Sequence, residues 1–106
     1  MSEAAEQFDA LDWRGQPLDC AACAHGLLRE AGRCELKKAC VMDRYALRID
    51  RFFGWNPGLA RDCLGHPYFE VRAIAARHVE VFYLPRLMHD ADDTVRQAAE
   101  ARRQAA

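Results

Sequence analysis

Of the residues able to do chemistry in this 106-residue chain, cysteine comes first: five are present, and four of them, Cys20, Cys23, Cys34 and Cys40, are clustered in one short stretch. Their spacing is Cys20-x2-Cys23-x10-Cys34-x5-Cys40. Two thiolates separated by two residues reach one metal from a single turn, and Ala21 and Ala22 let the backbone come close. Four thiolates complete either a tetrahedral zinc site or the four iron corners of a cubane cluster. Structural zinc commonly uses two close pairs, and here the second half has none, so spacing alone leaves the choice open. A c-type haem attachment needs histidine directly after the second cysteine, but Ala24 precedes His25. A thioredoxin-like dithiol needs a preceding strand and a βαβ frame, and neither is visible. His25 is a candidate further ligand, although one histidine beside cysteines more often faces solvent or donates a hydrogen bond. Cys63 stands alone.

The segment that carries the four cysteines offers little else to hold it. Across 14–40 the apolar side chains are Leu18, Leu27, Leu28 and Leu36, scattered among Gly, Arg, Glu and Lys. Ordering each residue costs roughly 1–2 kcal/mol of backbone entropy, which so few apolar groups do not offset. A bound metal is the expected source of order. Arg29, Arg33, Lys37, Lys38 and Arg44 flank the thiols. They would offset an anionic tetrathiolate centre, or equally form an ordinary solvated surface.

After Cys40 the pattern turns helical. Met42, Tyr45, Ala46, Ile49, Phe52 and Phe53 share one helix face. Asn56-Pro57 reads as an N-cap and first helical residue, with Gly65 as a stop. A further helix follows Pro67, with Val71, Ile74, Ala75 and His78 on one side, and Asp92 or Asp93 caps a last one reaching about Arg103. Val79–Leu84 has strand-like composition but no partner, so it is taken as a helical connection. The second half also repeats itself at a constant offset: Val71-Arg72 returns as Val95-Arg96, Cys63-Leu64 as Leu87-Met88, and Ile74-Ala75 as Ala98-Ala99. Leu47-Arg48 falls on the same pair one step earlier, in a degenerate unit. A 24-residue period of short helices points to a solenoid. Cys63, at the position of Leu87, is then a small apolar residue of the repeat. Arg48, Arg72 and Arg96 are expected to pair with nearby acids such as Glu70 or Asp92, and Trp13, Trp55, Phe69 and Phe82 to be core.

Composition narrows the classes. The chain is 51% apolar and 29% charged with a net charge of −1, which suits one globular domain and argues against nucleic-acid or anionic-membrane binding. The start, Met1–Glu6, lacks the features of a secretory signal, and no apolar run of about 18 residues spans a bilayer. A cytoplasmic, reducing setting is expected, where clustered cysteines bind metal rather than pair. No P-loop, dinucleotide fingerprint, His-Glu-x-x-His or Gly-x-Ser-x-Gly occurs, and Ser2 and Thr94 are the only aliphatic hydroxyls. A catalytic role and a small-molecule substrate are not expected.

Read together, the four-cysteine segment, Asp43-Arg44-Tyr45-Ala46, Arg48-Ile49-Asp50-Arg51-Phe52-Phe53, His66-Pro67-Tyr68-Phe69-Glu70-Val71-Arg72-Ala73 and Asp90-x-Asp92-x-x-Val95-Arg96 resemble the leucine-rich repeat variant proteins with an N-terminal iron–sulfur domain, over about 14–103. That resemblance implies a cluster-binding lobe leading into a right-handed solenoid of alternating α and 3₁₀ helices. It also implies Cys20, Cys23, Cys34 and Cys40 as ligands of a 4Fe-4S cluster, and an association with nitrogen-fixing bacteria. The expected architecture is all-α: an N-terminal segment 1–13, a cysteine-rich segment 14–41, and a helical repeat region 42–106 of about two units packed on it as one domain. The expected role is electron transfer or redox sensing for a protein partner docked on the repeats. The alternative is a HEAT-like interaction module built on a structural zinc held by the four cysteines.

Overall fold

A computed structural model describes residues 9–105. The regular elements are all helical: α1 (Gly26–Glu30), α2 (Ala46–Trp55), α3 (Phe69–His78), α4 (Leu84–Leu87) and α5 (Asp93–Ala105), with 3₁₀ helices at Cys20–Ala22, Pro57–Cys63 and Val81–Tyr83. Among the described residues β pairing is limited to two isolated bridges, Leu11 with Pro17 and Glu35 with Ala39. Among the described residues no helix is long and apolar enough to cross a membrane. The chain divides into two compact units at Trp55–Asn56. Helix α2, which the sequence pattern grouped with the repeats, therefore belongs to the cysteine unit. The opening residues of the expected N-terminal segment lie outside the described part.

In the first unit the apolar core comes from α2 and the strip just before it. Ala39, Val41, Ile49, Phe52 and Phe53 are buried. Helix α2 begins at Ala46, so Met42 and Tyr45 precede it, and Ala46 itself is exposed. The helix buries a residue that hydrophobic periodicity could not flag: Arg48 is fully enclosed and bonds the equally buried Asp43 at 2.9 Å. From Arg14 to Lys38, by contrast, no residue is buried. This stretch has no hydrophobic interior of its own.

The second unit is the repeat. The 3₁₀ helix Pro57–Cys63 and the segment Val81–Leu87 occupy equivalent repeat positions, as do the starts of α3 and α5. Helix α3 packs on α5 and on the 3₁₀ helix, and α4 packs on α5. Ala60, Leu64, Val71, Ile74, Ala75, Val79, Leu84, Leu87, Val95 and Ala99 fill the space between them. The turns before α3 and α5 are copies: His66 Nδ1 is bonded by the Tyr68 N–H at 3.1 Å, and Asp90 Oδ1 accepts from the Asp92 N–H at 2.8 Å. Arg72 donates to the His66 carbonyl and Arg96 to the Asp90 carbonyl, six residues back in each case. Asp90 also takes a bidentate bond from Arg72, with 2.9 and 3.1 Å contacts, which ties one repeat to the next. Asp92 caps α5 through the Thr94 N–H.

Asn56 does precede a proline-led helix, but that helix is 3₁₀ and the Asn56 side chain makes no capping bond. The degenerate first repeat falls one residue short of the period. Its Asp43, which accepts from the Tyr45 N–H, is the counterpart of His66, and the α2 start at Ala46 is the counterpart of the α3 start at Phe69. Arg48 thus sits at the inward position of Val71 rather than at that of Arg72. Phe82 and Trp55 are not core, being 80% and 38% exposed. Phe82 occupies the repeat position of Gly58, which faces outward as well. The arginines do pair with acids, though with Asp43, Asp90 and Asp93 instead of Glu70 or Asp92.

Candidate metal centre

Each thiol is delivered by a short polar device. Asp12 closes the loop before Cys20: its Oδ1 accepts from the Arg14 and Gln16 N–H groups at 2.9 Å, and its Oδ2 takes the Arg14 guanidinium. Gly15, at φ +82°, makes the reversal that this loop requires. Asp19 then caps the single 3₁₀ turn Cys20–Ala22 by accepting from the Ala21 N–H at 3.0 Å. That turn places Cys20 and Cys23 on the same side. Helix α1 ends at Glu30 with Ala31 as its cap, and Gly32 (φ +74°) follows, where the Arg33 N–H reaches back to the Leu28 carbonyl at 2.8 Å and the chain turns toward Cys34.

Cys40 arrives through a tight turn closed by the Glu35–Ala39 bridge, with Lys37 at φ +66°. A left-handed lysine costs about 1 kcal/mol relative to glycine. Helix α2 secures the outgoing strand of that turn. The Arg48 carbonyl accepts from the Cys40 N–H at 3.1 Å, and Arg51 donates to the Lys38 carbonyl at 3.3 Å. Asp43 then starts α2 and pairs with Arg48, so the buried ion pair sits three residues from the last thiol of the set.

These devices bring all four thiols to one cavity. Cys20, Cys23, Cys34 and Cys40 line it together with His25, Arg29, Glu35, Leu36, Ala39, Val41 and Phe52. Cys20, Cys23 and Cys40 also border a second hollow, between the Asp12–Asp19 loop and Met42. His25 enters beside Cys23, its Nδ1 3.6 Å from Sγ and its backbone N–H 3.4 Å from the same sulfur. Of the flanking basic residues, Arg29 lines the cavity, while Arg33 donates to the Trp55 carbonyl at the end of α2. Cys63 closes the 3₁₀ helix of the second unit, half-buried, and is not among the cavity residues. Burial, with Asp62 beside it, pushes its thiol up to about 11.

The same physics acts on the clustered thiols. Burial raises the Cys34 thiol, the neighbouring Cys23 and Cys20 raise it further, and Arg29 opposes them. Burial pushes Cys40 up to about 12 against the backbone N–H groups of Met42 and Asp43. Burial thus keeps the Cys34 and Cys40 thiols protonated at neutral pH in the absence of a cation, and metal binding has to displace those protons. Among the described residues no three Cys, His, Asp or Glu side chains stand close enough to grip a single ion. Four thiols lining one cavity are the donor set of a cubane, in which each iron takes one sulfur. The donor set fits an iron–sulfur cluster.

Comparison with known proteins points the same way. Residues 10–62 match the family model described as LRV protein FeS4 cluster. The chain is 54% identical over 98 residues to an uncharacterized 27.7 kDa protein in the nifB 3′ region of Rhodobacter capsulatus, a match covering 92% of this chain and 40% of that protein. A solved leucine-rich repeat variant with a novel repetitive structural motif superimposes with a TM-score of 0.74 at 42% identity, over 77% of this chain and 36% of its own. The chain thus spans well under half the length of either relative.

Proposed function

This chain belongs to the leucine-rich repeat variant proteins with an FeS4 cluster domain, whose cofactor is a 4Fe-4S cluster, and on that premise we propose that Cys20, Cys23, Cys34 and Cys40 are its ligands and that the protein transfers electrons to, or senses redox state for, a docked protein partner. The observation that carries the reading is the convergence of four thiols from one short stretch on a single cavity. When bound, a 4Fe-4S cluster supplies one-electron redox chemistry.

The chain's own residues do the rest. The four cysteines would supply the thiolates that hold the cluster. Ala39, Val41 and Phe52 give the cavity an apolar back wall, while Arg29 would offset the negative charge of the bound thiolates. All four cysteines remain partly exposed, which leaves the centre reachable by a partner's redox group. The thiol nucleophiles that line the cavity are the four that the cluster would occupy, leaving none for hydrolytic or group-transfer chemistry. We therefore read the protein as non-enzymatic, and its five free thiols suit a reducing, cytoplasmic setting. The position of the Rhodobacter relative in the nifB 3′ region supports a place for this chain among proteins serving nitrogen fixation.

Anaerobic purification tests this. A brown protein with iron and acid-labile sulfide in equal amounts, bleached by dithionite and restored by mild oxidation, is the expected result. A colourless protein with stoichiometric zinc would overturn it in favour of a structural zinc scaffold.

A further inference from the structure

Among the residues lining the cysteine cavity, His25 has a geometry that neither helix formation nor packing requires. It is the N-cap of α1, yet its side chain makes no capping bond to that helix. The ring instead turns toward Cys23, placing Nδ1 3.6 Å from Sγ, while the backbone N–H of the same residue donates to that sulfur at 3.4 Å. Phe52, buried on α2, meets the ring in an edge-on contact, with centroids 6.0 Å apart and planes at 72°. One residue thus directs a backbone N–H and a ring nitrogen at one sulfur, with a core aromatic in edge contact with the ring.

We infer that His25 acts through the Cys23 sulfur to set the reduction potential of the bound centre, donating its Nδ1–H to that sulfur without itself ligating iron. The inference rests on Cys23 being a ligand, as proposed above. A hydrogen bond to a ligating sulfur draws charge from it, and the reduced cluster carries one more electron than the oxidised one. The bond is therefore stronger in the reduced state, and the potential rises. The role requires the tautomer with hydrogen on Nδ1, which the sulfur, as acceptor, itself selects.

The test compares wild type with H25F and H25N, reconstituted anaerobically and titrated potentiometrically with EPR detection. Phenylalanine keeps an aromatic ring against Phe52 but has no donor; asparagine places an amide N–H near the former Nδ1. The inference expects H25F to load iron fully and titrate at a lower potential than wild type, with H25N restoring part of the difference. A fully loaded H25F at the wild-type potential would overturn it. If H25F does not load, the wild-type protein decides: reduced samples grown on ¹⁵N-histidine are examined by pulsed EPR. A weak nitrogen coupling supports a hydrogen-bonded imidazole; no coupling, or a coupling large enough for direct ligation, contradicts it. Failure of wild type to assemble any cluster would instead sink the proposed function, and iron analysis separates that outcome from the others.

Discussion

The Asp43–Arg48 pair offers a demanding test of how the cysteine unit is built. Both side chains are fully buried and meet at 2.9 Å, and Asp43 also accepts the Tyr45 N–H at 2.8 Å at the start of α2. Replacing Asp43 by Asn keeps an oxygen for Tyr45 but leaves the Arg48 charge enclosed without its counter-charge. Breaking a buried pair in this way costs about 3–5 kcal/mol. Taking about 4 kcal/mol against a domain stability of roughly 5–15 kcal/mol, and 4–8 °C per kcal/mol for a unit this size, the midpoint should fall by about 15–30 °C. R48M should cost a similar amount, by stranding the carboxylate. The double variant D43N/R48M has neither charge, and it should regain at least about 2 kcal/mol of the summed single losses. The assay is anaerobic denaturant unfolding followed by far-UV dichroism and visible absorbance together. Because the Arg48 carbonyl holds the Cys40 N–H, the two signals should be lost at the same midpoint in each variant. Single losses that simply add in the double variant would refute the pairing argument.

Other expectations are more local. C20S should lose visible absorbance and expose residues 14–40 to protease, whereas C63A should retain the full iron content, since Cys63 does not line the cavity. Iodoacetamide at pH 8 should label Cys63 slowly even in the metal-free protein: with its thiol near 11, about one in a thousand is ionised. Burial raises Asp90, but its bonds from Arg72 and the Asp92 N–H prevail, and its carboxyl lies below the usual range. Its stabilising contribution is therefore complete above the ordinary carboxylate pKa and is lost as pH falls through the lowered value. Acid unfolding of D90N should show a correspondingly shallower pH dependence than wild type, measured by thermal melts between pH 6 and pH 2. Equal slopes would contradict this.

How much could be read from residues alone varied by type of signal. The cysteine grouping was legible because ligand chemistry leaves a mark in residue type and spacing. So was the repeat, since Val71 and Val95 occupy matching buried positions and His66 and Asp90 matching turns. The shift of the first unit was hidden by coincidence: Leu47-Arg48 imitates Val71-Arg72, and a buried arginine at an inward position defeats a hydrophobic pattern. What identifies it is Asp43, five residues earlier, whose carboxylate both starts the helix and neutralises the charge. Assigning α2 to the cysteine unit rests on long-range bonds, from Cys40 to the Arg48 carbonyl and from Arg51 to the Lys38 carbonyl. Backbone carbonyls look alike in every sequence. Phe82 departs from the pattern because aromatic character signals burial only when the repeat position faces inward.

Hydrogen exchange across 14–38, recorded on the holoprotein and after anaerobic removal of iron, reaches the heart of the account. No side chain in that stretch is buried, so its protection should exist with iron bound and collapse once iron is gone, while α3 and α5 keep theirs. Undiminished protection of 14–38 in the iron-free chain would contradict it.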